Sequence, residues 1–246
     1  MNKIVINNEV NIVQDPVNEN IYTMNFASYS EALIKSFVKP RIILGATASL
    51  NYKMLKFKAS SVQTLSTLLK KSYNKKLSVP LAAQMLQSLT SQLNYLIVYE
   101  SKTIIGYSPE NIIVIDGTKF LYICADHLLD IIPNSDTIMV TFPYTTSEFI
   151  TSPELYKIKE IPTTVHYKSS YYSLGCLLIY VLTGDDDLFL KGVLYSGDNN
   201  ISESELSREK LINNYIDSMP IKGTKLYWLL KRTLVEDAKN RSILLI

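Results

Sequence analysis

Glycine is scarce in this chain, and its placement excludes one common kind of nucleotide site. Only 8 of the 246 residues are glycine, and none precedes Gly45. Loops that wrap phosphate groups rely on glycine, because a backbone without Cβ can approach a phosphate closely. The sequence therefore excludes a glycine-rich phosphate loop in the segment before Gly45.

An excess of charge of one sign is also missing. The chain has 25 basic and 23 acidic residues, mixed along its length, for a formal net charge of +2. This balance gives no electrostatic reason to expect a nucleic acid or an anionic membrane as partner. The longest apolar run, residues 174–182, is shorter than the roughly 18 residues that a membrane span requires. The first residues lack the apolar stretch of a signal peptide, so we expect an intracellular, cytoplasmic protein.

What is present is typical of a globular chain. Hydrophobic residues make up 47% and charged residues 20% of the sequence, which suits one domain or a small two-lobed one. Cys124 and Cys176 lie in apolar segments, so we expect reduced cysteines in the core. Enrichment in Asn, Ile, Lys and Tyr is typical of AT-rich genomes, such as those of some large DNA viruses, protists and low-GC bacteria. In a viral chain, the host cytoplasm or the virion would be the location.

Hydrophobic periodicity predicts strands and one helix in the first quarter of the chain. Alternation predicts strands over residues 4–6, 10–13 and 21–26. Ser28 is placed to cap a helix over residues 29–37. Two further apolar segments, 42–48 and 52–57, predict a hairpin.

Helices dominate the predictions for the rest of the chain. Leucine spacing and Pro80 predict helices over residues 61–71 and 80–95. Asp116-Gly117 predicts a hairpin between strands 112–115 and 119–124. Residues 126–151 and 185–204 are predicted to be loops. Three more helices are expected over residues 169–183, 205–217 and 224–235, the first buried on all sides and ended by Gly184.

Short motifs follow one another in a characteristic order. Residues 104–111 read Ile-Ile-Gly-Tyr-Ser-Pro-Glu-Asn and lead into the apolar run 112–115, and residues 93–96 upstream read Leu-Asn-Tyr-Leu. Downstream come Ser-Pro-Glu at 152–154, Ser-Tyr-Tyr-Ser-Leu-Gly-Cys at 170–176, and Leu-Leu-Lys-Arg to Glu-Asp-Ala-Lys-Asn-Arg-Ser over 229–242. In order and spacing, these motifs resemble the catalytic loop and its surroundings in the protein kinase-like superfamily. The chain resembles a degenerate member of that family, a pseudokinase.

The resemblance implies an α+β, bilobal fold. Residues 1–59 would form a reduced N-lobe-like region, and residues 60–246 a mainly helical C-lobe-like region, together one kinase-like domain. Residues 55–60 would be the hinge, and 126–151 the activation segment. Since the motifs cover only about residues 60–246, the alternative is a kinase C-lobe with an unrelated N-terminal cap.

The same resemblance implies that the reactive groups have been lost. Gly106 stands where kinases carry the catalytic aspartate, Ser108 where they carry a lysine, and Ile105 where an arginine receives the activation-loop phosphate. Phosphoryl transfer requires a carboxylate and cations at such positions, and these residues supply neither. The strand over 21–26 has no phosphate-binding lysine. Glu31 on the following helix would therefore lack that partner, and we expect it to be a surface residue.

Metal binding is predicted to be absent or weak. Asn111 matches a magnesium ligand of active kinases, but the aspartate expected thirteen residues later is Cys124. Asp126 would replace it only if the strand pairing slipped by two residues. An amide and one displaced carboxylate make a poor magnesium site. A metal site at Asp126, His127 and Asp130 is conceivable, but a polar turn after a strand is much commoner.

Two positions are expected to serve the scaffold. Glu154 and Arg241 correspond to a partly buried kinase ion pair that joins the activation segment to the C-terminal helices. Ser170 stands where an aspartate anchors the catalytic loop, so the resemblance implies that this polar brace is weakened. Other polar groups are expected in loops, including His166, residues 185–187 and the modifiable residues 144–146.

The leading hypothesis is a catalytically inactive pseudokinase that binds another protein as a scaffold, decoy or allosteric partner. That partner would be an active kinase, a host protein or an assembly factor, and no cofactor is expected. One alternative is a structural subunit of a virion or other large assembly. Another is an atypical phosphotransferase that uses Asn111 and Asp126 with displaced acids. The oligomeric state is left open.

Overall fold

The chain has an α+β fold that divides into two compact units. A computed structural model describes residues 3–5, 10–142, 150, 152–184 and 205–243. The first unit consists of Met1–Ser72, Gln84–Lys102 and Ser108–Leu128, and the second of Tyr73–Ala83, Thr103–Tyr107 and Leu129–Ile246. The sequence predicted a single boundary after residue 59, whereas the chain passes between the units several times.

A five-stranded sheet and one helix begin the first unit. The strands are β1 (Lys3–Val5), β2 (Val10–Gln14), β3 (Ile21–Phe26), β4 (Thr47–Ala48) and β5 (Met54–Lys58), in the order β1-β2-β3-β5-β4. Helix α1 (Glu31–Val38) begins after Ser30, so the predicted cap at Ser28 is wrong. The predicted strand over 42–48 shrinks to β4, because the backbone amides of Ile42 and Ile43 turn back to the Phe37 carbonyl.

A three-stranded sheet completes the first unit. It has the order β6-β8-β9, from β6 (Val62–Thr64), β8 (Ile112–Ile115) and β9 (Lys119–Tyr122). The helix predicted over 61–71 is shorter, since α2 (Leu65–Lys71) follows β6 and is capped by the Thr64 hydroxyl, which accepts from the Thr67 amide at 3.1 Å. The hairpin at Asp116-Gly117 is confirmed, with φ of 52° and 69° at its two turn residues. The Asp116 carboxylate accepts from the Ser60 amide at 2.7 Å, so this turn is tied to the segment after β5. Most of the predicted hinge, residues 55–58, belongs to strand β5.

The two sheets of the first unit share one hydrophobic core. Ile113 and Ile115 of β8 and Leu121 of β9 are fully buried in the cluster that also contains Met24 of β3 and Leu55 of β5. This arrangement follows from sequence, because the β8 residues are apolar on both faces and must be covered on both.

A sheet in the second unit replaces the loop that was predicted over residues 126–151. Strands β10 (Leu128–Ile132) and β11 (Thr137–Val140) form a hairpin that joins β7 (Lys102–Ile104) and β12 (Thr163–His166) in the order β12-β11-β10-β7. In β11, Ile138 and Val140 are buried and Met139 is exposed. The turn contains Asn134 and Asp136 with φ of 62° and 51°. The loop prediction was therefore wrong for this stretch, where alternation and an Asn/Asp-rich turn favour a hairpin.

Helices form the remainder of the structure. They are α3 (Val79–Glu100), α4 (Pro153–Tyr156), α5 (Ser169–Thr183), α6 (Glu205–Ser218) and α7 (Lys225–Thr233). The predicted burial of α5 is confirmed, with 12 buried residues, and Gly184 ends it with φ of 90°. Helix α3 begins one residue before Pro80 and extends five residues beyond the predicted end at residue 95. Residues 144–146 and the predicted loop over 185–204, which includes 185–187, lie outside the described residues.

The structure also describes the two cysteines and the apolar character of the helices. Cys124 and Cys176 are both buried, free thiols. In the part of the chain that the structure describes, no helix combines the length and apolar character needed to cross a bilayer.

Candidate functional site

The loop expected to hold the reactive groups begins in the second unit, where it is closed to solvent. Ile105, Gly106 and Tyr107 are all buried, the two larger side chains completely. Tyr107 and Ile150 exchange two backbone hydrogen bonds of 2.8 and 2.7 Å, which fixes the chain beside Gly106 as a short antiparallel bridge. Burial raises the pKa of the Tyr107 hydroxyl far above its ordinary value, so it stays protonated and neutral. Position 106 therefore presents neither a charge nor an open approach for a substrate hydroxyl.

A serine of α5 anchors this loop. The Ser173 hydroxyl lies 3.3 Å from the Ile105 carbonyl and 3.1 Å from the Ser169 carbonyl, and Ser173 is fully buried. Ser170, which stands where the resemblance implies a weakened brace, donates to the Tyr167 carbonyl at 2.9 Å. The residue that contacts the loop lies three positions later on the same helix. The sequence signal was the small polar residue at position 173 in an otherwise apolar helix.

The rest of the loop, in the first unit, forms a short 3-10 turn. Ser108 precedes the turn Pro109–Asn111, and the Asn111 amide donates to the Ser108 carbonyl at 3.0 Å. The Asn111 carbonyl accepts from the Ile123 amide at 2.9 Å, which ties the loop to the end of β9. Glu110 is the only carboxylate in residues 104–111. It is exposed, with Lys70 at 3.7 Å.

The residues considered as metal ligands differ in their exposure. Cys124 is buried and 5% exposed, whereas Asp126 and Asp130 are exposed. His127 is bonded through Nδ1 to the Tyr122 hydroxyl, and burial lowers the pKa of its imidazole, which favours the neutral form. Among the described residues, no three His, Cys, Asp or Glu side chains are grouped as a metal site would require.

Apolar packing joins β8 and β9 to β3 and β5 in the first unit. Residues of β8 and β9 are buried in the same cluster as β3 and β5, with no exposed surface at Ile113, Leu121 or Met24. Glu31 contacts Lys35 of its own helix at 2.6 Å and also the Tyr29 hydroxyl. The expectation that Glu31 has no partner is therefore wrong, because the helical i, i+4 spacing supplied one that the strand did not. The hydrogen bonds from Lys35 and Tyr29 lower the pKa of Glu31, which stays ionised.

Glu154 and Arg241 form the ion pair that the resemblance implied. Arg241 is 1% exposed, and its guanidinium contacts the Glu154 carboxylate. The same guanidinium donates to three backbone carbonyls, those of Val235 at 2.8 Å, Glu236 at 2.8 Å and Lys168 at 3.5 Å. Its carbon lies 4.8 Å from the centre of the Tyr172 ring. Every side of the buried cation is thus occupied by an acceptor or an aromatic face, as a buried charge requires.

A second buried brace was missed from the sequence. Gln92 of α3 is fully buried, and its amide forms hydrogen bonds of 2.9 and 2.8 Å with the amide and carbonyl of Tyr122 and one of 3.2 Å with the Ser36 hydroxyl. It joins α3, β9 and α1 within the first unit. The signal was a glutamine among leucines on the buried face of α3, since buried amides must find partners.

His166 adds nothing to this site. It lies in β12, and its Nδ1 accepts from the Lys168 amide at 3.2 Å. Burial and the nearby Lys168 lower the pKa of the imidazole.

The residues of this loop stabilise the fold and supply few groups that could take part in a reaction. The loop provides backbone bonds and buried apolar side chains, while its carboxylate and the nearby acids face solvent. Comparisons with protein-family models and with curated proteins gave no match to this chain.

Proposed function

We propose that the chain is a catalytically inactive member of the kinase-like superfamily, with a bilobal fold, that acts by binding another protein. It serves that partner as a scaffold, decoy or allosteric modulator. The motif order in residues 93–242 suggests the family, and the geometry of the loop argues against turnover.

The observation that carries the proposal is the buried Glu154–Arg241 pair. Arg241 is 1% exposed and uses its guanidinium on one carboxylate and three carbonyls. Such a network is costly to assemble and costly to break, so its presence points to a requirement for shape. The same chain has glycine and serine at positions 106 and 108, where phosphoryl transfer needs a carboxylate and a cation. A scaffold that is kept while reactive groups are lost is typical of a binding protein.

Loss of nucleotide binding is the first testable consequence. Purified protein is heated with and without ATP and Mg²⁺ or Mn²⁺, and the unfolding temperature is compared. A ligand at a hundredfold excess over its Kd adds about 2.7 kcal/mol, or roughly 5 to 10 °C for a chain of this size. We expect no shift, because the segment before Gly45 has no glycine for a phosphate loop and β3 carries no lysine for the phosphates.

Asn111→Ala is the matched control for that experiment. It preserves the backbone hydrogen bonds of Asn111 with Ser108 and Ile123, while removing the amide that could bind a metal. A nucleotide-dependent shift in the wild type that disappears in this variant would favour the atypical phosphotransferase and refute the proposal.

Partner binding is the second consequence. The full chain, purified from its native host with its associated proteins, should carry a distinct partner at a fixed ratio, whether or not ATP is added. Recovery of a repeating lattice of this chain itself would favour the structural-subunit alternative. Loss of the partner on addition of ATP would contradict a nucleotide-independent scaffold.

A further inference from the structure

The outer face of helix α7 has an unusual composition. The helix spans Lys225–Thr233, and five of its nine residues are buried. The remaining four side chains are Lys225, Trp228, Lys231 and Arg232. We call these four residues, together with Lys222 in the turn before the helix, the α7 face. Except for its tryptophan, this face consists entirely of bases.

Trp228 is the anchor of the α7 face. It is the only tryptophan of the chain, and 55% of its surface is exposed. Its neighbour Tyr227 is buried and holds the indole edge-on, with ring centres 5.0 Å apart. A single exposed apolar side chain is ordinary on a protein surface. A large indole held in place by a buried ring is better suited to an interface, where tryptophan dominates binding energy.

Before and within the helix, the bases of this face outnumber the acids. Residues 217–233 contain four bases and one acid, Asp217, for a net charge of +3, and the acids Glu236 and Asp237 follow the helix. Asp217 is already occupied, since it contacts Lys231 at 2.9 Å and accepts from the Tyr227 hydroxyl at 2.7 Å. Those two hydrogen bonds, from Lys231 first, lower the pKa of Asp217 and keep it ionised. Lys222 and Lys225 are exposed.

Helix stability explains only half of this arrangement. Lys231 and Arg232 lie in the last turn of α7, where the helix dipole favours bases. The N-terminal end of a helix favours acidic side chains, yet α7 has no acid in its first turn and begins with Lys225. Lys225 is therefore placed where it slightly weakens the helix, and a requirement outside the helix accounts for it better.

We propose that the α7 face binds an acidic segment of a partner protein. An apolar side chain of that segment would pack on Trp228 while its carboxylates pair with Lys222 and Lys225. This inference rests on the proposed protein-binding function and names the surface and the chemistry of the partner.

The composition favours an acidic peptide over other anions. A bilayer surface is bound through a wide apolar face with several inserted side chains, whereas α7 exposes one. Nucleic acid is bound through an extended basic surface, whereas the whole chain has a net charge of only +2. One indole flanked by lysines matches a short segment with one apolar anchor and a few carboxylates.

The first test is a selection from a displayed library of random peptides on the full-length protein. We expect enriched peptides to be rich in Asp and Glu around an apolar residue. Trp228→Ala should lower the affinity for these peptides about tenfold, and the separate double variant Lys222→Glu/Lys225→Glu should lower it by a similar factor. The controls Tyr73→Ala and Lys53→Glu change an exposed aromatic residue and an exposed lysine elsewhere on the surface. They should leave the affinity for the peptides unchanged. The inference would be refuted if the enriched peptides are not acidic or if they bind both α7 variants as tightly as the wild type. A selection that enriches no peptide would also refute it.

The second test uses the tryptophan itself. Because Trp228 is the only tryptophan, the protein's indole fluorescence reports on this face alone. A synthetic peptide from the selection should shift the emission to shorter wavelength as the indole is covered, and added salt should weaken the effect. Parallel titrations use single-stranded DNA and phosphatidylcholine vesicles with and without phosphatidylserine. A shift with vesicles or DNA but not with the peptide would contradict the proposal.

Experiments can distinguish failure of this inference about the α7 face from failure of the proposed function. A protein that binds its native partner equally well with Trp228→Ala keeps the scaffold proposal and loses this surface. A protein that transfers phosphate loses the scaffold proposal whatever binds to α7.

Discussion

Removing the charge of Arg241 should be among the most damaging single changes in the second unit. Arg241→Met keeps a long stem of similar length and deletes every donor of the guanidinium. The Glu154 carboxylate then loses its cation, and three carbonyls lose their donor, those of Lys168, Val235 and Glu236. The consequence is a partly buried charge without compensation.

The structure sets the size of the effect. Breaking a buried pair by removing one partner typically costs roughly 3–5 kcal/mol. The Glu154 side chain is 27% exposed, but its Oε2 is buried without a hydrogen-bond partner among the described residues, so water can replace only part of what the carboxylate loses. We therefore expect a loss of about 3 kcal/mol, at the lower end of that range. Since natural domains unfold at a cost of about 5–15 kcal/mol, this is a large fraction of the total.

Urea unfolding measures the loss. With a slope of about 1–3 kcal/mol per M, the midpoint of Arg241→Met should fall by about 1 M or more. Lys70→Met is the matched control, because its pair with Glu110 is open to solvent, with side chains 73% and 52% exposed. That variant should lose less than about 1 kcal/mol.

A double-mutant cycle completes the test. The combined variant Glu154→Gln/Arg241→Met should be more stable than the sum of the two single losses predicts, by about 1–3 kcal/mol, because neither charge is left alone. Additive losses, or a loss below about 1 kcal/mol in Arg241→Met, would show that the pair does not hold the structure as argued.

Three further predictions concern the packing around the site. Gln92→Leu leaves the buried amide and carbonyl of Tyr122 without partners and should lower the unfolding free energy by about 2–3 kcal/mol; a melting temperature equal to that of wild type would disprove the brace. Gly175→Ala places a Cβ 2.6 Å from the Thr233 hydroxyl and 2.9 Å from a Leu234 methyl, so calorimetry should show a loss of about 1–3 kcal/mol although alanine favours helices. Burial lowers the pKa of His127 below its ordinary 6.5, so its contribution is fully present above about pH 6.5 and is lost as the pH falls through the lower folded-state pKa. His127→Gln should remove that part of the acid dependence of urea unfolding, and an unchanged pH profile would count against it.

Hydrophobic periodicity predicted the helices that are buried on one side or on all sides. The apolar run of α5 and the stripe of α3 predicted both helices, because their patterns are set by the core they face. The turn at Asp116-Gly117 was predictable for a local reason, since both residues tolerate positive φ. These features depend on neighbours in sequence.

Features that depend on distant partners were missed. Strand β6 was read as the start of a helix because its pairing with β8 lies about fifty residues away. The β10–β11 hairpin was read as a loop because the kinase resemblance outweighed its alternating residues. The weakened brace expected at Ser170 did not indicate that Ser173 contacts the loop, since motif position cannot tell which of two hydroxyls on a helix faces a given carbonyl.

The most direct test of the account is a phosphotransfer measurement. The full-length protein is incubated with γ-labelled ATP and Mg²⁺ or Mn²⁺, alone and with generic protein substrates, and label in protein is counted. We predict no label above that of a heat-denatured sample, because positions 106 and 108 hold glycine and serine and the loop beside Gly106 is buried. Label incorporated by the wild type and lost in Asn111→Ala would contradict the central claim.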